Sequence, residues 1–270
     1  MIHVLTVHWE FDDWVDIQLK YLDRHIKEPY RVYAYLNRLR NDHSDKFFYS
    51  SDEDIRSHPV KLNLLAEHVA AVSDEPDDIL VFIDGDAFPI GDVISYGRAK
   101  LPQHKLIAVQ RKENFGDIQP HPSFCMTTVG FWQLIAGDWQ KGHCWQNSKG
   151  EAVTDVGGNL LKLLQDAEVD WLPMVRSNRH DLHPLFFGIY DDLVYHHGAG
   201  FRKPYSRMDK AGDKAFDKEN GGILMSFMQR RKYKKFKQET VARNAKLIEE
   251  VFRELKTDEL FYKKFTESHE

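Results

Sequence analysis

Apolar positions in the first half of the chain switch repeatedly between two periods. Residues 3–9 form a short apolar run of the kind a buried strand needs, and Val15, Leu19, Leu22 and Ile26 then fall at helical spacing. RVYAYL (31–36) predicts a second strand, and 41–59, rich in serine and aspartate and ending in proline, predicts a polar loop. Leu62, Leu65, Val69 and Val72 place the next apolar stripe on a helix, and ILVFI (79–83) is the strongest strand of the chain. The alternation β-α-β-α-β predicts a mostly parallel sheet with helices on its faces, in which ligands gather at the carboxyl ends of the strands.

Further along, LIAV (106–109) and SFCMTTV (123–129) predict strands, and Val156, Leu160, Leu163 and Ala167 mark a helix. DWLPM (170–174) is expected to return to the sheet. From residue 201 the pattern breaks into a polar, glycine-punctuated stretch, after which Val241, Ala245, Ile248, Phe252 and Leu255 define an amphipathic C-terminal helix. Residues 1–205 are therefore expected to form one α/β domain, with 206–270 as a basic loop and helical appendage.

Composition narrows the partners. Hydrophobic residues make up 42% of the 270, aromatic 13% and charged 29%, which suits a globular enzyme able to stack flat ligands. A net charge of -5 supplies no field to gather nucleic acid, which is not an expected partner. MIHVLTVHW enters a strand directly without the regions of a secretory signal, and no apolar stretch is long enough to span a bilayer, so a cytoplasmic location is expected. Cys125 and Cys144 form no CxxC pair and predict neither disulfide nor structural zinc. Arg230, Arg231, Lys232, Lys234, Lys235 and Lys237 surround Tyr233 and Phe236, a pattern suited to a solvated face or to peripheral association with anionic lipid at the inner face of the cytoplasmic membrane.

Two segments carry candidate chemistry. The strand ILVFI runs into Asp84-Gly85-Asp86, delivering two carboxylates to the sheet edge with a glycine between them. Such a pair can hold Mn²⁺ or Mg²⁺ and leave positions for substrate phosphates; as a plain strand-ending turn it would bond to neighbouring backbone N–H groups. In YHHGAGFRKPY (195–205), His197 offers an imidazole ligand, Gly198 and Gly200 permit close backbone approach, and Arg202 and Lys203 can neutralise phosphate.

VFIDGDAFPI resembles the metal-binding motif of GT-A glycosyltransferases, and His197-x-x-Gly200-x-x-Lys203-Pro204-Tyr205 is similar to the HxxGxxKPW motif of their glycogenin-like branch, with tyrosine for tryptophan. SFCMTT and TDVGGN stand where that branch carries Asn-Ala-Gly and Asp-Gln-Asp. HPSF, TDVGGNLL and HHGAGFR also resemble bacterial surface-polysaccharide transferases. The resemblance implies a Rossmann-like GT-A fold and transfer from a nucleotide-diphosphate sugar, by analogy a UDP-sugar, to a glycan or lipid-linked acceptor. It implies metal ligation by Asp84, Asp86 and His197, diphosphate contacts from Lys203, and nucleotide contacts from Thr6, Val7, His8 and Trp9 at the end of the first strand. Lys61, at the start of its helix, can reach donor phosphates.

Asp155 precedes the helix of TDVGGNLL, where GT-A enzymes often place an acceptor-facing carboxylate; it is the catalytic candidate, and a helix N-cap is the structural alternative. Gly157 and Gly158, poor helix formers, are expected to leave room for a sugar. Inverting and retaining chemistry stay open. Two other classes compete. A phosphatase or phosphotransferase of the haloacid-dehalogenase type also ends a strand with two aspartates, although Ala87 stands where that family has threonine or valine. A noncatalytic nucleotide- or glycan-binding protein is the third reading.

Overall fold

A computed structural model describes residues 1–180, 183–200, 203–206, 208–212, 215 and 227–267. It divides into two compact units, Met1–Asn178 with Gly188–His196, and Arg179–Phe187 with His197–Glu270. The tail motif starting at His197 thus belongs to the second unit.

The first unit contains β1 (Ile2–Trp9), α1 (Asp13–His25), β2 (Tyr30–Asn37), β3 (Tyr49–Ser51), α2 (His58–Val72), β4 (Ile79–Asp84), β5 (Ala87–Pro89), α3 (Val93–Lys100), β6 (Leu106–Val109), β7 (His121–Thr128) and α4 (Val129–Leu134). It continues through β8 (Trp145–Gln146), β9 (Ala152–Val153), α5 (Gly158–Asp166), β10 (Leu172–Met174), β11 (Gly188–Tyr190) and β12 (Val194–His196). The expected α/β architecture is present: a seven-stranded sheet in the order β10-β6-β7-β4-β1-β2-β3, with α1 and α2 on opposite faces. β7 alone runs antiparallel to its neighbours β4 and β6; the other pairings are parallel.

Alternation along the strands builds two cores. Val4 pairs with Val32 and Val81 and packs with Val15 and Leu22 of α1. Leu5 pairs with Tyr33 and Phe82 and packs with Leu62, Leu65 and Val69 of α2. The central strands are apolar on both faces because both faces are covered.

Several expectations are revised. The segment 41–59 is not all loop: β3 pairs parallel with β2, and its Tyr49 ring stacks on His68 at 4.0 Å. Its polar sequence suits an edge strand, whose outer side faces water. α5 starts at Gly158, and its buried residues are Leu160, Leu161 and Leu164, while Leu163 is half-buried and Ala167 exposed. Val72 is also exposed, one turn beyond the buried stripe of α2.

The second unit holds α6 (Phe227–Thr257) and α7 (Lys263–Thr266). α6 buries Thr240, Asn244, Val251 and Leu255, so its inner face carries polar residues that the apolar stripe Val241, Ala245, Ile248, Phe252 and Leu255 left out. Asn244 earns its place by donating to Pro204 O at 3.2 Å and to Asp209 Oδ1 at 3.3 Å.

His8, near the end of β1, is fully buried, with neither ring nitrogen in an aligned hydrogen bond. Burial drives its pKa down to about 4; proximity to Gln18 opposes this in part, and the charge of His43 adds to it. The folded state thus binds fewer protons than the unfolded state between pH 4 and 6.5, and stability falls as pH drops through that window. Urea unfolding should show about 2 kcal/mol lost between roughly pH 7 and pH 5 through this group. A folded His8→Asn variant should lose that part of the slope; an unchanged slope would refute the assignment.

Candidate active site

β4 carries Asp84 to the carboxyl end of the sheet, beside Val7 of β1. The turn that follows requires glycine, because a Cβ on Gly85 would stand 2.5 Å from Val7 O and 3.0 Å from His8 Nδ1. From α1, the buried Gln18 donates its Nε2 hydrogens to Asp84 O and Ala87 O, both at 2.8 Å. One carboxamide therefore clamps both ends of the Asp84-Gly85-Asp86 turn.

The third member arrives through a small second sheet, β11-β12-β5. β12 runs antiparallel to β5 with His196 opposite Ala87. This register sets His196 Nε2 3.5 Å from Asp86 Oδ1 and 3.9 Å from Asp84 Oδ2. One ligand atom from each of Asp84, Asp86 and His196 lies within 4.8 Å of the others, a span that one divalent ion can bridge. The histidine brought to the aspartates is thus His196, not the His197 of the tail motif. His197 begins the second unit, where its buried ring meets Phe187 and Phe252 edge on.

Asp84 fits a cation in two further ways. Its Oδ1 is buried without an aligned hydrogen bond, although His58 Nε2 lies 3.0 Å away. Burial pushes the carboxyl up, yet contact with His58 and the charges of His58, His121 and His196 overrule that and hold it well below the usual carboxylate range. A carboxylate held in its ionised form is what a hard cation needs. The His121 ring lies 6.1 Å from that of His196 and completes this side of the cluster.

On the other side of β1, Thr6, Val7 and His8 are buried within the sheet, and Trp9 reaches the partly exposed surface. Lys61 Nζ and the Arg38 guanidinium lie against the Trp9 ring, at 4.7 and 4.6 Å. Lys61 is 2% exposed and donates to Asn37 Oδ1 at 2.8 Å. Burial lowers its pKa to about 8, with Asp54 opposing and Arg38 reinforcing the shift. A buried ammonium held by an amide and an aromatic face is a cation with charge to spare for an anionic ligand.

Beyond β2 a cleft of about 610 Å³ is lined by residues that include Arg38, Arg40, Asn41, Ser50 and Asp52. Asp12 shapes its wall, accepting from Arg40 N and Asn41 N at 2.9 Å and from Asn41 Nδ2 at 2.7 Å, with His43 Nε2 at 3.1 Å.

Asp155 is not a helix cap. α5 is entered through Gly157 at φ 87° with no side-chain cap bond, and Asp155 Oδ1 accepts from Val156 N at 3.0 Å. Its carboxylate lies 3.7 Å from Arg111 Nη2 and 3.5 Å from Lys141 Nζ. The glycines leave no gap for a sugar: a Cβ at Gly157 would stand 2.1 Å from Pro120 O, and one at Gly158 would stand 3.0 Å from His143 O. They let main chain pack on main chain, tying Asp155 to the entry of β7. Of the tail residues, Gly200 and Lys203 lie in the second unit, and Arg202 lies outside the described residues.

No protein-family profile and no curated protein matches the sequence. Among solved structures, Drosophila β1,4-galactosyltransferase 7 with manganese, UDP-Gal and xylobiose matches at TM-score 0.40 and 12% identity, over 73% of this chain and 70% of that one. TarS of S. aureus matches at 0.38 and 11%, over 52% and 30%, and the glycosyltransferase GlyE of Streptococcus pneumoniae at 0.34 and 14%, over 50% and 37%. The chain thus spans about a third of the length of the latter two.

Sequence reading passed over Gln18, Asn37, His58 and Arg111. Gln18 lies in a helix among apolar residues and His58 directly before Pro59, positions whose meaning depends on pairings across the sheet. Replacing Gln18 with methionine keeps the volume and removes the clamp on the turn. Calorimetric Mn²⁺ affinity should fall roughly tenfold or more in that variant; unchanged affinity would show that the turn holds itself.

Proposed function

We propose that this protein transfers a sugar from a nucleotide-diphosphate sugar, with UDP as the nucleotide, to a hydroxyl of a glycan or lipid-linked acceptor in surface-polysaccharide synthesis. The observation that carries the reading is the Asp84, Asp86 and His196 cluster at the carboxyl end of β4, next to Trp9 and the buried cation Lys61. When bound there, Mn²⁺ or Mg²⁺ would offset the charge that develops on the departing diphosphate. Lys61 adds a fixed positive charge on the same side of the sheet, and Trp9 with the cleft beyond β2 suits a base and ribose. Gly200, Arg202 and Lys203 keep their diphosphate roles on the strength of the tail motif. Asp155 is the proposed group facing the acceptor hydroxyl.

A panel of nucleotide sugars, assayed for metal-dependent release of nucleotide diphosphate, tests the activity. Asp86→Ala should abolish Mn²⁺-dependent UDP binding and reduce turnover to background, because the cation loses one of its charged ligands. Unchanged calorimetric UDP affinity in that variant would overturn the site.

Among the described residues no helix is long and apolar enough to cross a membrane. A lipid-linked acceptor is reached instead, in this reading, through α6, where Arg230, Arg231, Lys232, Lys234, Lys235 and Lys237 are exposed together with Phe236. Each basic residue near an anionic surface contributes about 1 kcal/mol. The protein should co-sediment with phosphatidylserine vesicles and lose that binding when Lys232, Lys234 and Lys235 are changed to glutamine. Equal sedimentation of both proteins, or of vesicles with and without anionic lipid, would reject the membrane role.

A further inference from the structure

Within the second unit, α6 is the backing of the tail segment. His197 meets the Phe252 ring edge on at 6.1 Å, Asn244 Nδ2 donates to Pro204 O at 3.2 Å, and Lys237 Nζ lies 4.7 Å from the centre of the Tyr205 ring. The contacts follow one another in opposite order along helix and segment, so the two run antiparallel along roughly 22 Å of helix. Lys237, Thr240 and Asn244 share one face at i, i+3 and i+7, and the latter two are buried. Asn244 also donates to Asp209 Oδ1 at 3.3 Å. Asp209 and Ser206 cap one another: Ser206 N donates to Asp209 Oδ2 at 2.6 Å, and Asp209 N to Ser206 Oγ at 3.2 Å. Just before them the chain turns tightly, Tyr205 N donating to Lys203 O at 2.6 Å around Pro204, whose ring fixes its φ. Lys203, itself exposed, therefore stands where α6 holds its neighbours.

The same helix begins with uncompensated charge. Six cations fall within residues 230–237, and the first acid of α6 is Glu239, 3.7 Å from Lys235. Arg230 and Lys234, like Arg231 and Lys235, stand at i,i+4, where like charges destabilise a helix. Arg230 lies in the first turn, which carries no acid although the macrodipole favours one there. Arg231, Lys232, Lys234 and Lys235 are exposed, so an anionic surface can cancel the repulsion from outside. Lys237 is shared: it continues the basic cluster and lies against Tyr205.

We propose that α6 is a relay through which an anionic lipid surface regulates the Lys203 segment. Headgroups on residues 230–235 stabilise the start of the helix, which holds Lys237 against Tyr205 and Asn244 against Pro204 and so presents Lys203 to an anionic ligand. This rests on the reading of Lys203 as a diphosphate contact and of α6 as membrane-facing, and goes further in making one control the other. Coupling between two binding events is reciprocal, so nucleotide also tightens binding to the surface.

The experiment uses the full chain with Mn²⁺, UDP as the nucleotide probe, and vesicles of phosphatidylcholine with or without phosphatidylserine. Amide hydrogen exchange is followed over 230–237 and 203–209, and UDP affinity is measured by calorimetry. Anionic vesicles should slow exchange in both segments and raise UDP affinity roughly fivefold or more; neutral vesicles should do neither. Asn244→Ala keeps every cation, so it should still bind anionic vesicles and slow at 230–237, while 203–209 and UDP affinity cease to respond. Lys237→Met keeps most of the stem and removes the charge over Tyr205; it should blunt the response in the same way and carries the test if Asn244→Ala does not fold.

Slowing at 230–237 without any change at 203–209 in the wild type would overturn the relay and leave the membrane reading standing. A wild-type response in both variants would also overturn it, since lipid would then touch 203–209 directly. Failure of anionic vesicles to bind would sink the membrane reading and the relay together. Coupled slowing of both segments in a protein that binds no UDP would support the relay and sink the donor reading alone.

Discussion

Gly85 lies so close to β1 that no side chain fits between it and Val7 O, and this contact fixes where the carboxylates of the turn can go. β4 and β1 are in parallel register up to the pair Val7 and Asp84, so the carboxylate leaves the sheet in line with the end of the central strand. Gln18 then holds the carbonyls of Asp84 and Ala87, and Ala87 in turn pairs with His196. A single packed junction thus sets the positions of Asp84, Asp86 and His196, which come from elements far apart in sequence. Preorganisation of this kind places the cost of assembling like charges on the fold and leaves little to reorganise when a cation arrives.

The same junction shows how buried polar groups divide into two kinds. Asn37 is buried and fully used, donating to Asp52 O and Glu53 O while accepting from Lys61. Asp84 Oδ1 is buried in a different way, with no aligned hydrogen bond and His58 Nε2 3.0 Å away. Hydrogen-bonded polar groups in a core repay their desolvation, whereas unpaired ones weaken the fold. Asp84 Oδ1 lies in the candidate metal cluster, where a bound cation would supply a further partner.

Much of the sheet was legible because its strands are buried on both faces and are therefore continuous apolar runs bounded by turns; ILVFI and its two aspartates stood out for that reason. The short strands were harder. β3 carries a polar sequence because it lies at an edge, and β5 and β12 have three residues each, too few for a period to show. The choice between His196 and His197 depended on that invisible pair. A spacing motif counts residues along the chain, but a ligand is selected by the strand register that turns one side chain towards the aspartates.

Asp155 illustrates the complementary failure, in which the right residue is noticed for an incomplete reason. Its position before an apolar helix suggests a cap or a carboxylate beside open space, and both ideas treat the following glycines as features of the helix. The glycines instead serve a contact across the chain, with Gly157 taking φ 87° where its missing side chain admits Pro120 O. That contact joins the entrance of α5 to the entrance of β7, and Arg111 closes the arrangement by lying between Asp117 and Asp155. Two carboxylates this near one guanidinium cannot both be fully neutralised by it. Lys141, 3.5 Å from Asp155 Oδ1, supplies the second positive charge at the rim, so two cations and two carboxylates balance across the contact that joins α5 to β7.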